Sequence, residues 1–347
     1  MIKPCMLHKQ VANLRGLALV SLASALLTLG AGPAAAAQYT MKLGTPTPRG
    51  NQNEWMARFK ERVEKRAGKD VIEIKLFPSS QLGAIPRAIE GLQFGTIEGY
   101  VLPPGFLKGI DPNFQVLDTP GLMDSEEHAK RTFADAKFRN LFFKAGEGNG
   151  VKLISLYASA MASVVTRDRP IRRLEDYKGQ KLRVLASDME SEEFKRLGAA
   201  PVPMPLGEVL PALQRGALDG VKSALVVFIP FKYWTTAKYL TESGESVVPV
   251  GAFVSKRWFD GLPANLRSVL LEEGKKLESE MADYSFDFNK RFRGIWTKNG
   301  GELIRFDAKE QKRFISKIKT VGASVSKKNP KMKPLYDALL DSANRNR

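Results

Sequence analysis

The chain has 347 residues, a formal net charge of +17, a single cysteine and two histidines. One cysteine excludes an internal disulfide framework, and so few histidines and cysteines argue against a zinc site or a His-based catalytic dyad. The basic balance would suit nucleic acid, but the charges are interleaved with acids, as in Arg58-Phe59-Lys60-Glu61-Arg62. The densest basic run, Lys327 to Lys333, has no aromatic neighbours for base stacking, so no nucleic-acid partner is expected.

The N-terminus has the order of a secretory signal. Lys3, Lys9 and Arg15 precede a short apolar core, Leu17 to Leu29, and Pro33 with Ala34 to Ala37 supplies small residues for cleavage. The core is too short for a comfortable membrane span. Cleavage is expected near Ala37, so that residues 1–37 are a signal peptide and the mature chain is periplasmic. Cys5 and His8 leave with it, and His128 becomes the sole histidine.

The mature chain opens with a strand at Tyr39 to Gly44, a Pro-rich loop, and an amphipathic helix over Asn51 to Arg66 with Trp55, Phe59 and Val63 four residues apart. A strand over Val71 to Phe77, a helix over Ile85 to Phe94 and a strand over Ile97 to Leu102 complete a β-α-β-α-β unit. Asp124-Ser125-Glu126-Glu127-His128 reads as a helix start capped by Asp124 rather than as a metal site.

The second half has the same order. Lys181 to Leu185 is a strand, Glu190 to Leu197 a short helix, Pro201 to Pro203 extended, Glu208 to Arg215 a helix with Pro211 near its first turn, and Asp219 onward a strand. The segment Ile89 to Gly99 returns as Leu210 to Gly220. Each copy is an apolar helix end, a glycine stop, and an entry into a strand. The copies lie about 120 residues apart, too far for a solenoid repeat. They indicate two similar α/β lobes, with a ligand cleft between them. Ser246 to Val254 reads as a strand crossing between lobes and Leu266 to Arg293 as a long helix. A turn and strand over Gly300 to Phe306 follow, then a polar helical tail. The division expected is 38–160 plus about 249–288 for one lobe, and 161–248 plus about 289–347 for the other. No phosphate-binding or dinucleotide fingerprint occurs, and no cofactor is expected.

Five motifs in order then carry a resemblance. They are Leu76-Phe77-Pro78-Ser79-Ser80-Gln81-Leu82-Gly83; Arg169-Pro170-Ile171 through Lys178-Gly179-Gln180-Lys181-Leu182-Arg183-Val184; and Leu197-Gly198-Ala199-Ala200-Pro201-Val202-Pro203. Leu213-Gln214-Arg215-Gly216-Ala217-Leu218-Asp219-Gly220 and Phe231-Lys232-Tyr233-Trp234 complete the set. The chain resembles the substrate-binding proteins of tripartite ATP-independent periplasmic (TRAP) transporters, in the branch associated with dicarboxylates and related organic acids. The resemblance implies a two-lobed, type II-like clamshell with a long interlobe helix. It also implies capture of an organic acid (carboxylate), delivery to TRAP membrane permease subunits, and no chemistry on the ligand, so the chain is not expected to be an enzyme. A ligand-sensing receptor for a membrane signalling protein is the alternative. A monomer is expected.

By the same resemblance Arg183 is the carboxylate anchor, a role its planar fork of donors suits. The chain departs from the family where relatives often carry a second arginine and here Met161-Ala162-Ser163 stands. It departs again at Val221-Lys222-Ser223-Ala224 and at Leu102-Pro103-Pro104-Gly105-Phe106. Lys222 is therefore expected to replace the second arginine as an anion contact. Ser163 and Ser223 are candidate polar contacts, as are Gln81 and Thr45 from the first lobe, with Phe106 and Trp234 as candidate walls. No catalytic or metal-ligating residue is expected. The less polar wall suits a monocarboxylate, aromatic or branched, better than a C4-dicarboxylate.

Overall fold

The computed structural model describes residues 37–347, so the signal-peptide expectation falls, but for Ala37, outside the described residues. The strands are β1 (Tyr39–Gly44), β2 (Ile72–Phe77), β3 (Gly99–Leu102), β4 (Val151–Met161), β5 (Ser163–Thr166) and β6 (Lys181–Val184). They continue as β7 (Ala200–Pro203), β8 (Gly220–Ser223), β9 (Tyr239–Thr241), β10 (Val247–Ser255) and β11 (Glu302–Ile304). They form two sheets, ordered β2-β1-β3-β10-β4 and β11-β9-β5-β8-β6-β7.

The sheets share a plan. In the first, β2, β1 and β3 are parallel and β10 is antiparallel to β3. In the second, β7, β6 and β8 are parallel and β5 is antiparallel to β8. The repeated segment explains the likeness. Helix Ile85–Phe94 ends at Gly95 with φ 78° and leads into β3, and helix Leu206–Gln214 is followed by Gly216 with φ 74° and leads into β8. Glycine takes this left-handed conformation without steric penalty, which lets the chain reverse at once into the strand.

The chain crosses between sheets at a single residue, Ala162, between β4 and β5. It crosses back between β9 and β10, where Ala162 N donates to Ser246 O at 2.8 Å. The helix Ala264–Lys298, 35 residues long, lies against both sheets. Its buried Leu266, Leu270, Leu277 and Met281 recur at helical spacing. Gly274 lets it approach β4 closely: a Cβ there would sit 2.6 Å from Ile154 O, and Ser155 Oγ donates to Gly274 O at 2.8 Å. At its far end Trp296 Nε1 donates to the carbonyl of Glu302 on β11.

Three details differ from the sequence expectation. Helix Leu206–Gln214 begins earlier than expected, so Pro211 lies inside it rather than in its first turn. Ser125, not Asp124, caps helix Glu126–Ala134, its Oγ accepting from His128 N at 3.1 Å. The final helix, Lys333–Arg345, packs beside Glu126–Ala134 and Ala136–Phe142, next to the first sheet. His128 makes that contact. Its Nδ1 accepts from Asp124 N at 3.1 Å, which leaves Nε2 to carry the proton it donates to Ala343 O at 2.8 Å. Both ring nitrogens are thus in structural use, and among the described residues no group of three His, Cys, Asp or Glu is arranged to hold a metal.

Candidate functional site: a cavity between the two sheets

A cavity lined in part by buried polar groups lies where the two sheets meet. Pro46, Gln52 and Ser159 line it from the side of the first sheet, and Arg183, Lys222 and Ser223 from the second. The crossing strand β10 contributes Val247 to Val250.

Arg183 is placed by strand alternation. Leu182 and Val184 point to one face of β6 and Arg183 to the other. Arg183 as a whole is 3% exposed. Its Nε donates to Met204 O at 3.0 Å and its Nη1 to Lys222 O at 3.2 Å. Two carbonyls, from the segments on either side of β6, therefore fix the plane of the fork. Nη2 is buried and has no hydrogen-bond partner among the described residues. Burial lowers the pKa of the guanidinium, with Glu190 and Tyr233 acting in the opposite sense. No carboxylate of the described residues forms an ion pair with Arg183, which leaves a desolvated cation with free N–H groups facing the cavity. An anion with two oxygens would satisfy both needs.

Lys222 also lines the cavity, but its ammonium is occupied. Nζ lies 2.6 Å from Glu193 Oε2, 3.3 Å from Glu245 Oε1 and 3.6 Å from Glu190 Oε1. Burial alone would lower the ammonium pKa, but the three carboxylates outweigh it and hold the pKa well above the ordinary value. Burial pushes Glu193 up to about 8, and the charges of Glu245 and Glu190 push the same way against Lys222. The expected exchange of Lys222 for the missing arginine thus meets a physical obstacle: its charge is spent inside the protein.

The other candidates divide. Phe106 is half-buried on the cavity wall, its ring centroid 5.9 Å from Arg183 Cζ. Ser223 is on the wall as well. Thr45 is buried behind the wall and donates to Gln52 Oε1 at 2.5 Å, so it positions a lining residue without lining. Ser163 lines a different cavity, with Glu126, Glu242 and Arg293. Trp234 stands edge-on to Trp296 at 6.4 Å and Gln81 is exposed, and neither is on the wall.

The sequence reading did not single out Asp118 or Glu190. Asp118 ends the short turn Pro112–Asp118 and lines the cavity, and Glu190 lines it from helix Asp188–Arg196, with Oε2 accepting from Leu185 N at 2.6 Å. A signal for Asp118 exists in the sequence: it is an acid set directly after Val116-Leu117 and before Thr119-Pro120, where a wholly exposed loop would be more polar.

With this geometry in place, the comparisons with known proteins decide the family. The profile of the bacterial extracellular solute-binding proteins, family 7 (DctP), matches residues 45–329. The chain belongs to this family. Among family 7 relatives, it is 27% identical to the C4-dicarboxylate-binding periplasmic protein of Rhodobacter capsulatus over 69% of each chain. It is 28% identical to the ectoine/5-hydroxyectoine-binding periplasmic protein of Ruegeria pomeroyi, over 70% of this chain and 71% of that one. The family 7 fold is shared with a TRAP periplasmic solute-binding protein from Desulfovibrio salexigens with bound orotic acid. That match has a TM-score of 0.84 and 24% identity, and covers 89% of this chain and all of the other. The chain is thus a two-lobed α/β solute-binding protein.

Proposed function

We propose that this chain captures a small organic acid by its carboxylate on Arg183, between the two sheets, and passes it to the membrane permease of a TRAP transporter. The observation that carries the reading is the buried Arg183 fork with its free Nη2 on the cavity wall. The relatives named above are periplasmic binding proteins, which favours the permease as partner over a signalling protein.

On this reading residues 1–37 direct export to the periplasm, and the first residue of the mature protein recovered from that compartment is Gln38. The chain works as a monomer, which light scattering on the purified protein checks. The lobes divide as expected from the sequence except at the final helix, which packs beside Glu126–Ala134 and Ala136–Phe142 next to the first sheet. The ligand leaves chemically unchanged.

A thermal-shift screen of carboxylic acids tests the capture step. At a hundredfold excess over Kd one site adds about 2.7 kcal/mol. Arg183→Ala weakens a carboxylate ligand by about 2–5 kcal/mol, as expected for one partner of a buried charged pair. Arg183→Lys is also costly because the planar fork is lost. Affinity unchanged in both variants would remove Arg183 from the site and end the proposal.

A further inference from the structure

The tail concentrates the charge of the chain. Between Lys309 and Lys333 stand eight lysines and Arg313 against one acid, Glu310, a net +8 out of +17 for the whole sequence. All nine cations are exposed. Arg313 pairs with Glu310 and Glu175, Lys328 with Glu192 and Lys333 with Asp337. The other six, Lys309, Lys312, Lys317, Lys319, Lys327 and Lys331, form no ion pair among the described residues.

The fold gathers these free cations. In helix Ala308–Ile318, Phe314 and Ile318 are buried, and Lys309, Lys312 and Lys319 recur on the opposite stripe. Arg196 pins the junction with the next helix: its Nη1 donates to Thr320 Oγ1 at 2.6 Å and its Nη2 to Ser324 Oγ at 2.7 Å. Helix Val321–Lys328 ends where Lys328 Nζ lies 3.7 Å from Glu192 Oε2, one turn from Arg196 on helix Asp188–Arg196. Lys319 and Lys327 are thus separated by the length of one short helix, about 12 Å at a rise of about 1.5 Å per residue. That is close to the screening length of about 8–10 Å at ordinary salt, so their fields overlap.

The residue types select the partner. A protein partner is held by a dry core of aromatic and arginine side chains, from which lysine is depleted. Among the described residues the exposed large apolar side chains, Phe94, Leu141, Leu271 and Ile295, all lie outside this stretch. Single-stranded nucleic acid needs aromatic platforms, and base edges favour planar arginine forks. The free cations here are all lysines. Anionic lipids ask for neither: their phosphates form a fluid sheet of negative charge, which dispersed ammonium groups on flexible stems match. We propose that the lysine face of helices Ala308–Ile318 and Val321–Lys328, with the turn that follows, docks the protein on an anionic lipid surface. This contact goes beyond carboxylate capture and does not involve Arg183. It holds the protein, loaded or empty, near the bilayer in which a permease resides.

Co-sedimentation of the full mature protein with vesicles tests this. Vesicles of equal phosphatidylglycerol and phosphatidylcholine bind the protein, and pure phosphatidylcholine vesicles bind it at least tenfold less. Salt at about 1 M, where the screening length is about 3 Å, releases it. Lys312→Glu with Lys319→Glu lowers the partition at least tenfold. Lys65→Glu with Lys69→Glu removes the same charge from exposed positions at the end of helix Asn51–Ala67, and lowers it less than threefold. Should the tail pair not fold, Lys312→Gln with Lys319→Gln replaces it against Lys65→Gln with Lys69→Gln, and the tail pair again loses at least threefold more. Equal losses in the two pairs mean that total charge alone is read, and overturn the assignment. Failure to bind phosphatidylglycerol overturns it too, and leaves an acidic protein surface as the partner. Neither result bears on carboxylate capture, which the thermal-shift screen reads separately.

Discussion

Arg183 and Lys222 occupy adjacent strands of one sheet, are buried to a similar degree, and both line the interlobe cavity, yet their surroundings are opposite. Around Arg183 the protein offers two neutral carbonyls and leaves part of the fork empty. Around Lys222 it offers three carboxylates, two more than the charge of a single ammonium balances. On the proposed reading, an outside anion completes the first region. The second is a closed ionic cluster that ties helix Asp188–Arg196 and the segment before β10 to β8. Residue type and burial do not separate a ligand contact from an internal brace; the neighbours' charge does.

The comparison breaks most sharply if Lys222 proves dispensable for folding. Lys222→Met leaves Glu190, Glu193 and Glu245 buried together without a cation. The loss of a buried partner of this kind is about 3–5 kcal/mol, read from denaturant midpoints. Arg183→Met strands no carboxylate and should leave the midpoint nearly unchanged while abolishing acid binding. Equal stability losses in the two variants would erase the distinction.

A smaller effect sharpens the electrostatics. Asp118 and Glu193 both titrate near 8 in the folded protein, above the ordinary carboxyl range of about 4. The folded form thus binds more protons than the unfolded chain between these values. The stability contributed by these groups is full below about pH 4 and is lost as pH rises through about 8. The melting temperature of the ligand-free protein should fall over this window, and Asp118→Asn should make the fall shallower. Parallel pH profiles for the two proteins would contradict the burial argument. Smallest of the three is Thr45→Val, which removes the hydroxyl bonded to Gln52. It costs about 1 kcal/mol of stability, in line with one hydrogen bond, and weakens the ligand less than tenfold by calorimetry.

Much of the frame was legible because its signals are local. The apolar helix end, the glycine and the strand entry that recur before β3 and β8 lie within eleven-residue segments, and the Ala264–Lys298 helix announces itself by spacing. Strand β4 was not legible. Val151–Met161 is buried almost throughout, between β10 on its edge and the long helix on its face, so its sequence does not alternate, and its serines and alanines mask it further. Strands β5 and β9 have four and three residues, too few to show a period. Arg183 was reached through the motif around it. Asp118 was not, because the space for its carboxyl group depends on Gly105, which comes from another segment of the chain. The fate of Lys222 was hidden for the same reason: Glu190, Glu193 and Glu245 are near it only in three dimensions.

The single-residue crossing at Ala162, stitched to the return strand at Ser246, has a mechanical outcome. Two laminated ribbons, fastened to each other at their midpoint, bend readily in one direction and resist twisting. The helix spanning both halves stiffens them against sliding. Any swing of one half over the other would turn about this link, which lies beside the cavity wall of β10. Groups near the link, the β10 wall among them, would move little, while the rim would travel furthest, so a guest would meet its fixed contacts first and be enclosed afterwards.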